Sequence, residues 1–222
     1  MSEIDLMRTL HKSTKRNYLE RVNDKKYPKH IASELAKKWD YDYWDGDRRI
    51  NYGGYKYIPK RWNSVIKKLI KQYKLEDNAK ILDIGCGKGF FLYDFKKLKP
   101  ETDLFGIDIS QYAINNAKEE VKDCIKLGNA TSLPWEDNYF DLVVSITTLH
   151  NLYAFDLEKA LKEIERVGKN KYLCVESYRN ELEKANLLYW QVTCEAFNTP
   201  DEWKWWFKHT KYTGDYSFIY FE

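Results

Sequence analysis

Beyond Asp77 the chain alternates short, nearly continuous apolar runs with longer stretches whose apolar residues recur every three or four positions. The first kind of run predicts buried strands, the second amphipathic helices packed on them. AKILDIG reads as a strand and KGFFLYDFKKLK as the helix after it. DLFGIDI and SQYAINNAKEEV repeat the pair, with Ser110 as the helix N-cap. CIKLGNA and YFDLVVSI give a third and a fourth strand, LEKALKEIERV a helix and KYLCVES a fifth strand. NTPDEWKWWFKHT predicts a last helix, capped by Thr199 or Asn198 with Pro200 at its first position, and DYSFIYFE a closing strand. Continuous apolar strands alternating with helices predict a mostly parallel sheet covered on both faces. The expected fold is therefore α/β, a doubly wound, Rossmann-like sheet with its ligand crevice at the carboxyl ends of the strands.

The first 75 residues have a different texture. Residues 3–22 read as a charged helix, PKHIASELAKKWD as a second with Pro28 in its first turn, and Lys60 to Lys74 as a third. Between the last two lies YDYWDGDRRINYGGYKYIPKRW, with seven aromatic residues and three glycines but neither helical nor strand period. The expected organisation is a helical leader with an aromatic segment over residues 1–75, packed on a domain over residues 76–222. No linker or internal repeat divides the chain.

Composition narrows the class. A hydrophobic content of 43% is ample for a core, and 32% charged residues favour a soluble protein. No apolar run is long enough for a signal peptide or a membrane span. Cys86, Cys124, Cys174 and Cys194 are far apart and form no C-x-x-C pair, which points to a reducing, cytoplasmic setting. No cluster of His, Cys and carboxylates has metal-ligand spacing, so no metal is expected. The net charge of +3 is uneven: residues 1–75 hold 19 Lys and Arg against 9 Asp and Glu, residues 76–222 hold 18 against 25. A basic leader fits contact with an anionic ligand, and equally the solvated faces of amphipathic helices such as SVIKKLIKQYKL.

The chemistry concentrates in DIGCGKG, Asp83 to Gly89, where the first strand runs into its helix. Glycines there allow a tight turn and close approach of a ligand. A dinucleotide fingerprint would place glycine where Phe90 stands, and a Walker loop would follow Gly87-Lys88 with Ser or Thr, where Gly89 stands. Both phosphate readings fit poorly. ILDIGCGKGF instead resembles the first motif of the class I S-adenosylmethionine-dependent methyltransferases. GIDIS is similar to the acidic end of that family's second strand. LGNATSLPWEDNYFDLVVSITTLHNL is similar to its third- and fourth-strand segment. The resemblance covers residues 78–178 at motif level, and the whole chain looks like bacterial methyltransferases of the type-11 group.

That resemblance implies the class I methyltransferase fold, S-adenosylmethionine as cofactor and S-adenosylhomocysteine as its product. It implies that Gly85, Cys86 and Gly87 lie along the cofactor's methionine and ribose portions, with Asp83 facing its amino group. Asp108 would hold the ribose hydroxyls, Ile109 the adenine face, Asn129 the adenine amino group and Ala130 a backbone donor. Asn129 departs from the family's usual Asp, RVGKN stands where a Pro-Gly-Gly turn is common, and a single closing strand leaves the terminal antiparallel pair incomplete. Taken singly, Asp83 equally fits a loop-stabilising residue and Asp108 a helix-start residue.

Methyl transfer from a sulfonium needs alignment and exclusion of water, and a base only if the acceptor loses a proton. His150, Glu176 and Tyr178, at the ends of the fourth and fifth strands, are the candidates for catalysis, although His150 equally suits a hydrogen-bonded residue shaping the crevice. Arg179, with Arg48 and Arg49, offers charge for an anionic acceptor. The aromatic segment reads as a lid over the site, with Tyr52 and Tyr57 beside the cofactor, Tyr55 beside the acceptor, and Trp44 and Trp62 structural. A second aromatic group, in the insertion over about residues 178–198, places Trp190 on the acceptor side. The expected partner is a small-molecule acceptor, anionic or amine-bearing, in an enclosed pocket. RNA or protein methylation through the basic leader, or cofactor binding without catalysis, are the alternatives. No nucleic-acid module is recognisable.

Overall fold

The alternating pattern closes into one six-stranded sheet in the computed structural model, which describes residues 1–8, 10 and 17–222. The leader supplies α1 (Tyr18–Val22), α2 (Lys29–Ala36), α3 (Tyr41–Trp44) and α4 (Asn63–Tyr73). Then follow β1 (Lys80–Ile84), α5 (Phe90–Leu98), β2 (Asp103–Asp108), α6 (Gln111–Asn115), β3 (Ile125–Leu127) and β4 (Phe140–Ile146). The chain ends with α7 (Ala154–Val167), β5 (Gly168–Glu176), α8 (Glu181–Trp190), α9 (Pro200–His209) and β6 (Asp215–Ile219). The strands lie in the order β3-β2-β1-β4-β5-β6, and every neighbouring pair is parallel. The order reverses between β1 and β4, so a crevice opens above their carboxyl ends.

Alternate side chains of the strands enter opposite cores, the reason the strands read as unbroken apolar runs. Ile81, Leu142, Val144 and Tyr172 pack with α4 and α5 on one face. Leu82, Val143, Leu173 and Val175 pack with α7 and α9 on the other. A third, smaller cluster joins Ala32 and Ala36 of α2 to Tyr43, Trp44, Ala113 and Val192, and this is the leader seated on the domain. Helix starts follow the sequence: Ser110 accepts from the Ala113 N–H, and Thr199 and Glu202 form a reciprocal capping box with Pro200 at the first position. Pro28 sits just before α2, as its cap residue.

Four details depart from the sequence reading. The expected helix over residues 3–22 is reduced to α1, and Glu3 instead bridges to Tyr216, with Ile4 N–H donating to the Tyr216 carbonyl at 2.8 Å. An open edge of β6 takes that pairing; the part of the expected helix at residues 9 and 11–16 lies outside the described residues. SQYAINNAKEEV breaks after Asn115, where the Asn116 amide turns back on the Tyr112 carbonyl and Lys118 N–H donates to Lys88. No loop stands at RVGKN, because α7 passes directly into β5 at Gly168. The closing strand β6 lies parallel to β5, so the sheet holds no antiparallel pair among the described residues. Among them, too, no helix is long and apolar enough to cross a membrane.

Trp203 links α9 to the end of β5: its ring is fully buried and its indole N–H donates to the Glu176 carbonyl at 3.0 Å. Trp203→Ala is expected to lower stability by about 3–5 kcal/mol, because the surrounding core cannot fill so large a void. A urea titration measures it, and a loss under about 1 kcal/mol would show that α9 is not a core element.

Candidate active site

The turn from β1 into α5 is built on two glycines in the left-handed region. Gly85 has φ +76°, and a Cβ there would lie 2.1 Å from Thr148 Oγ1. Gly87 has φ +55°, and a Cβ there would lie 2.8 Å from the Trp44 ring. Any side chain at either position meets both backbone strain and a clash. The turn is fastened to the end of β2, since Gly85 N–H donates to the Ile107 carbonyl at 2.8 Å and Gly87 N–H to Asp108 Oδ2 at 2.7 Å. The other Asp108 oxygen accepts from Ser110 N–H at 2.8 Å, which starts α6.

Above this turn lies a cavity of about 170 Å3. Asp83, Gly85, Cys86, Gly87, Asp108, Ile109, Asn129 and Ala130 line it, as do Tyr52 and Tyr55 of the aromatic segment. Trp44 and Trp62, expected to be structural, line it too, and Trp44 also donates its indole N–H to Ser110 Oγ at 2.9 Å. Trp39, Tyr43, Thr148 and Asn151, for which residue spacing carries no signal, are also part of the wall. Asn151 Oδ1 is buried and has no hydrogen-bond partner among the described residues. One end is closed, with Asp83 and Asp108 buried. The other is open, with Ile109 56% exposed and Asn129 on the surface, its Oδ1 accepting from Thr131 N–H at 3.0 Å.

The lining carries two carboxylates and neither Lys nor Arg. Burial pushes the Asp83 carboxyl up to about 8, helped by the Asp108 charge. Its oxygens take no hydrogen bond from any described residue, so nothing offsets the lost hydration. Burial raises Asp108 as well, against the pull of N–H donors from Ser110 and Gly87. The closed end is thus an aromatic-walled site with unsatisfied negative character, suited to a ligand carrying a positive group and hydrogen-bond donors.

Other sequence candidates lie outside the lining. Tyr57 donates its hydroxyl to Asp94 at 2.6 Å, and burial with that contact pushes its phenol up to about 12. His150 is buried behind the cavity, its Nε2 3.4 Å from Glu176 and its backbone oxygen accepting from Glu195 and Ala196 N–H at 2.9 Å. Burial lowers the imidazole to about 3, so the ring is neutral. Glu176 accepts from the Gln191 side chain, and Tyr178 is buried in the core. Arg49 pairs with Asp47 at 2.6 Å, and Arg179 pairs with Glu222 at 2.7 Å and with Glu183. Arg48 and Arg21 flank the Trp190 ring at 5.6 and 4.9 Å. Each of these guanidinium groups thus has a partner within the protein, Arg21 donating to the Ile50 carbonyl and Arg48 to the Asn51 carbonyl.

A methyltransferase-domain family model matches residues 75–211, which include β1 to β5 and stop short of β6. The chain is 34% identical over 119 residues to an uncharacterized methyltransferase of Schizosaccharomyces pombe, covering 48% of this chain and 41% of that one. It is 31% identical over 127 residues to a demethylmenaquinone methyltransferase of Symbiobacterium thermophilum, covering 53% of this chain and 50% of that one. The chain thus spans half or less of the length of these relatives. The crystal structure of the YcgJ protein of Bacillus subtilis superposes with a TM-score of 0.54 at 21% identity, over 65% of this chain and 66% of that one, a likeness of fold. The chain belongs to the family of S-adenosylmethionine-dependent methyltransferases.

The Asp83 environment makes stability depend on pH. An ordinary aspartate ionises near pH 4 in the unfolded chain, whereas Asp83 in the folded chain ionises near 8. Between these values the folded state holds the extra proton, so this group's contribution to stability falls as pH rises. Asp83→Asn is expected to melt higher than wild type at pH 8, by on the order of 1–3 kcal/mol, with the gap closing toward pH 4. Thermal melts of the ligand-free proteins across that range test this, and a pH-independent gap would show that Asp83 ionises freely in the fold.

Proposed function

We propose that this protein transfers a methyl group from S-adenosylmethionine to a small neutral or amine-bearing acceptor held in the enclosed cavity. The observation that carries the reading is the closed end: a buried carboxylate with no hydrogen-bond partner among the described residues, beside two glycines whose Cβ positions are already filled. That arrangement fits the cofactor's ammonium and sulfonium charges. Asp83 would hold the ammonium group. Asp108 would accept from the ribose hydroxyls with the lone pairs its backbone donors leave over. Ile109 and the segment Gly128–Ala130 would lie along adenine at the open end.

When bound, S-adenosylmethionine supplies a methyl group that its sulfonium has already activated. The chain's own part is then alignment, exclusion of water and electrostatic support. Tyr43, Trp44, Tyr52 and Tyr55 wall the reaction zone with rings, whose faces favour a positive centre. His150 and Glu176 would act at one remove, since His150 pins the backbone of Glu195 and Ala196 and neither side chain lines the cavity. An amine acceptor that arrives as the free base needs no further base from the chain.

An anionic acceptor suits this lining poorly, because it would meet two carboxylates and no cation. Docking of RNA on the basic leader finds little support either. Lys37 is paired with Glu195, Lys29 donates to the Leu188 carbonyl and Arg21 to the Ile50 carbonyl, so these leader cations already serve the fold.

Asp108→Ala is expected to weaken cofactor affinity by roughly 1.5–3 kcal/mol, as for hydrogen bonds to a charged group. Calorimetry with S-adenosylhomocysteine reads it, and unchanged affinity would remove Asp108 from the site. Methyl-labelled S-adenosylmethionine with a metabolite extract tests the acceptor class. Label in small cationic or neutral products is expected, and label confined to RNA or protein would overturn the enclosed-pocket reading.

A further inference from the structure

Between the two last glycines of the turn stands Lys88, whose side chain is only 7% exposed. A buried ammonium group is retained only where it is paired. Its Nζ donates to both oxygens of Asp45, at 2.8 and 2.6 Å, and to the Tyr55 carbonyl at 3.2 Å. Asp45 follows α3 directly, and it also accepts from Tyr55 N–H at 3.0 Å and from the Tyr112 hydroxyl at 2.9 Å. One carboxylate therefore ties the outgoing and returning arms of the aromatic segment to each other. Lys88 and Tyr112 tie them to the domain. Burial opposes ionisation of Asp45, yet the hydrogen bonds from Lys88 and Tyr112 prevail and hold its carboxyl below the usual range.

We propose that Lys88 is the positioning residue of a lid. Its ion pair with Asp45 clamps Trp44 and Tyr55 over the closed end of the cavity and governs how fast an adenosyl ligand enters and leaves. The proposal rests on the cofactor reading above. Trp44 already lies against Gly87, so raising the aromatic segment separates Asp45 from Lys88. Gly53 and Gly54, both at positive φ at the tip between the two arms, give the segment its bend. A ligand lying along the cavity would have its adenine end at the open mouth near Ile109 and its other end under these rings, so the clamp governs the release of that covered end.

The test uses the full chain with S-adenosylhomocysteine as probe, and stopped-flow fluorescence of the tryptophans in the cavity wall as readout. Lys88→Met is expected to speed both association and dissociation about tenfold, so that the rates move more than Kd does. Asp45→Asn should reproduce the effect, and it serves as the test if Lys88→Met fails to fold. Lys88→Arg, which keeps the charge, should stay nearer wild type. Unchanged rates in the neutral variants overturn the clamp while leaving the cofactor reading intact. Faster dissociation alone, with Kd following it, or a Lys88→Arg variant no better than Lys88→Met, reduces Lys88 to a packing role and overturns the clamp too. A wild-type chain that takes up no S-adenosylhomocysteine overturns the cofactor reading and the clamp together.

Discussion

Asp108 is the constraint on which the rest of the site depends. Its two oxygens are taken by backbone N–H groups of two different turns, Gly87 after β1 and Ser110 before α6. A single buried carboxylate thereby fixes the register of the glycine turn against the end of β2. Burying that charge is costly, and the cost is offset only because both donors are preorganised by the turns themselves. The same arrangement leaves lone pairs directed at the cavity. One side chain thus holds both turns and lines the cavity.

The leader completes the site, because the sheet alone would leave the crevice open along one side. Its attachment is spread over many polar contacts. Ser33 donates to the Val192 carbonyl at 2.6 Å, Lys29 to the Leu188 carbonyl, and Lys37 pairs with Glu195. The leader and the segment after α8 are therefore joined to each other, and His150 and Glu176 brace that segment from behind the cavity. Aromatic rings then fill the space between leader and domain, from Trp39 against Tyr43 to Tyr55 stacked on Phe90. Rigid rings suit this place because few rotatable bonds are lost on ordering them.

Asp83 costs the fold stability as pH rises. A carboxyl held near 8 by burial and by its neighbour weakens the empty fold at neutral pH, and a cation in the cavity would relieve both penalties. The absence of Lys and Arg from the lining belongs to the same design, since an internal cation would neutralise Asp83 before any ligand arrived.

The fold and the glycine turn that lines the cavity were legible in the sequence. Apolar runs at strand length, helical periods between them and the DIGCGKG turn are local signals, and each reflects a local cause such as burial on both faces or positive φ at glycine. Contacts between distant segments were not legible. Nothing local distinguishes Arg179, spent on Glu183 and Glu222, from an arginine that faces a ligand, or Tyr57 on Asp94 from Tyr55 in the wall. Lys88 read only as the lysine of a phosphate loop that Gly89 breaks, because its partner Asp45 lies 43 positions away. The sequence by itself determined the strands, their order of appearance and the glycine turn, since these follow from periodicity and backbone sterics. Only the tertiary structure decided which charges face the cavity and which are consumed by the frame, because pairing depends on proximity across the chain.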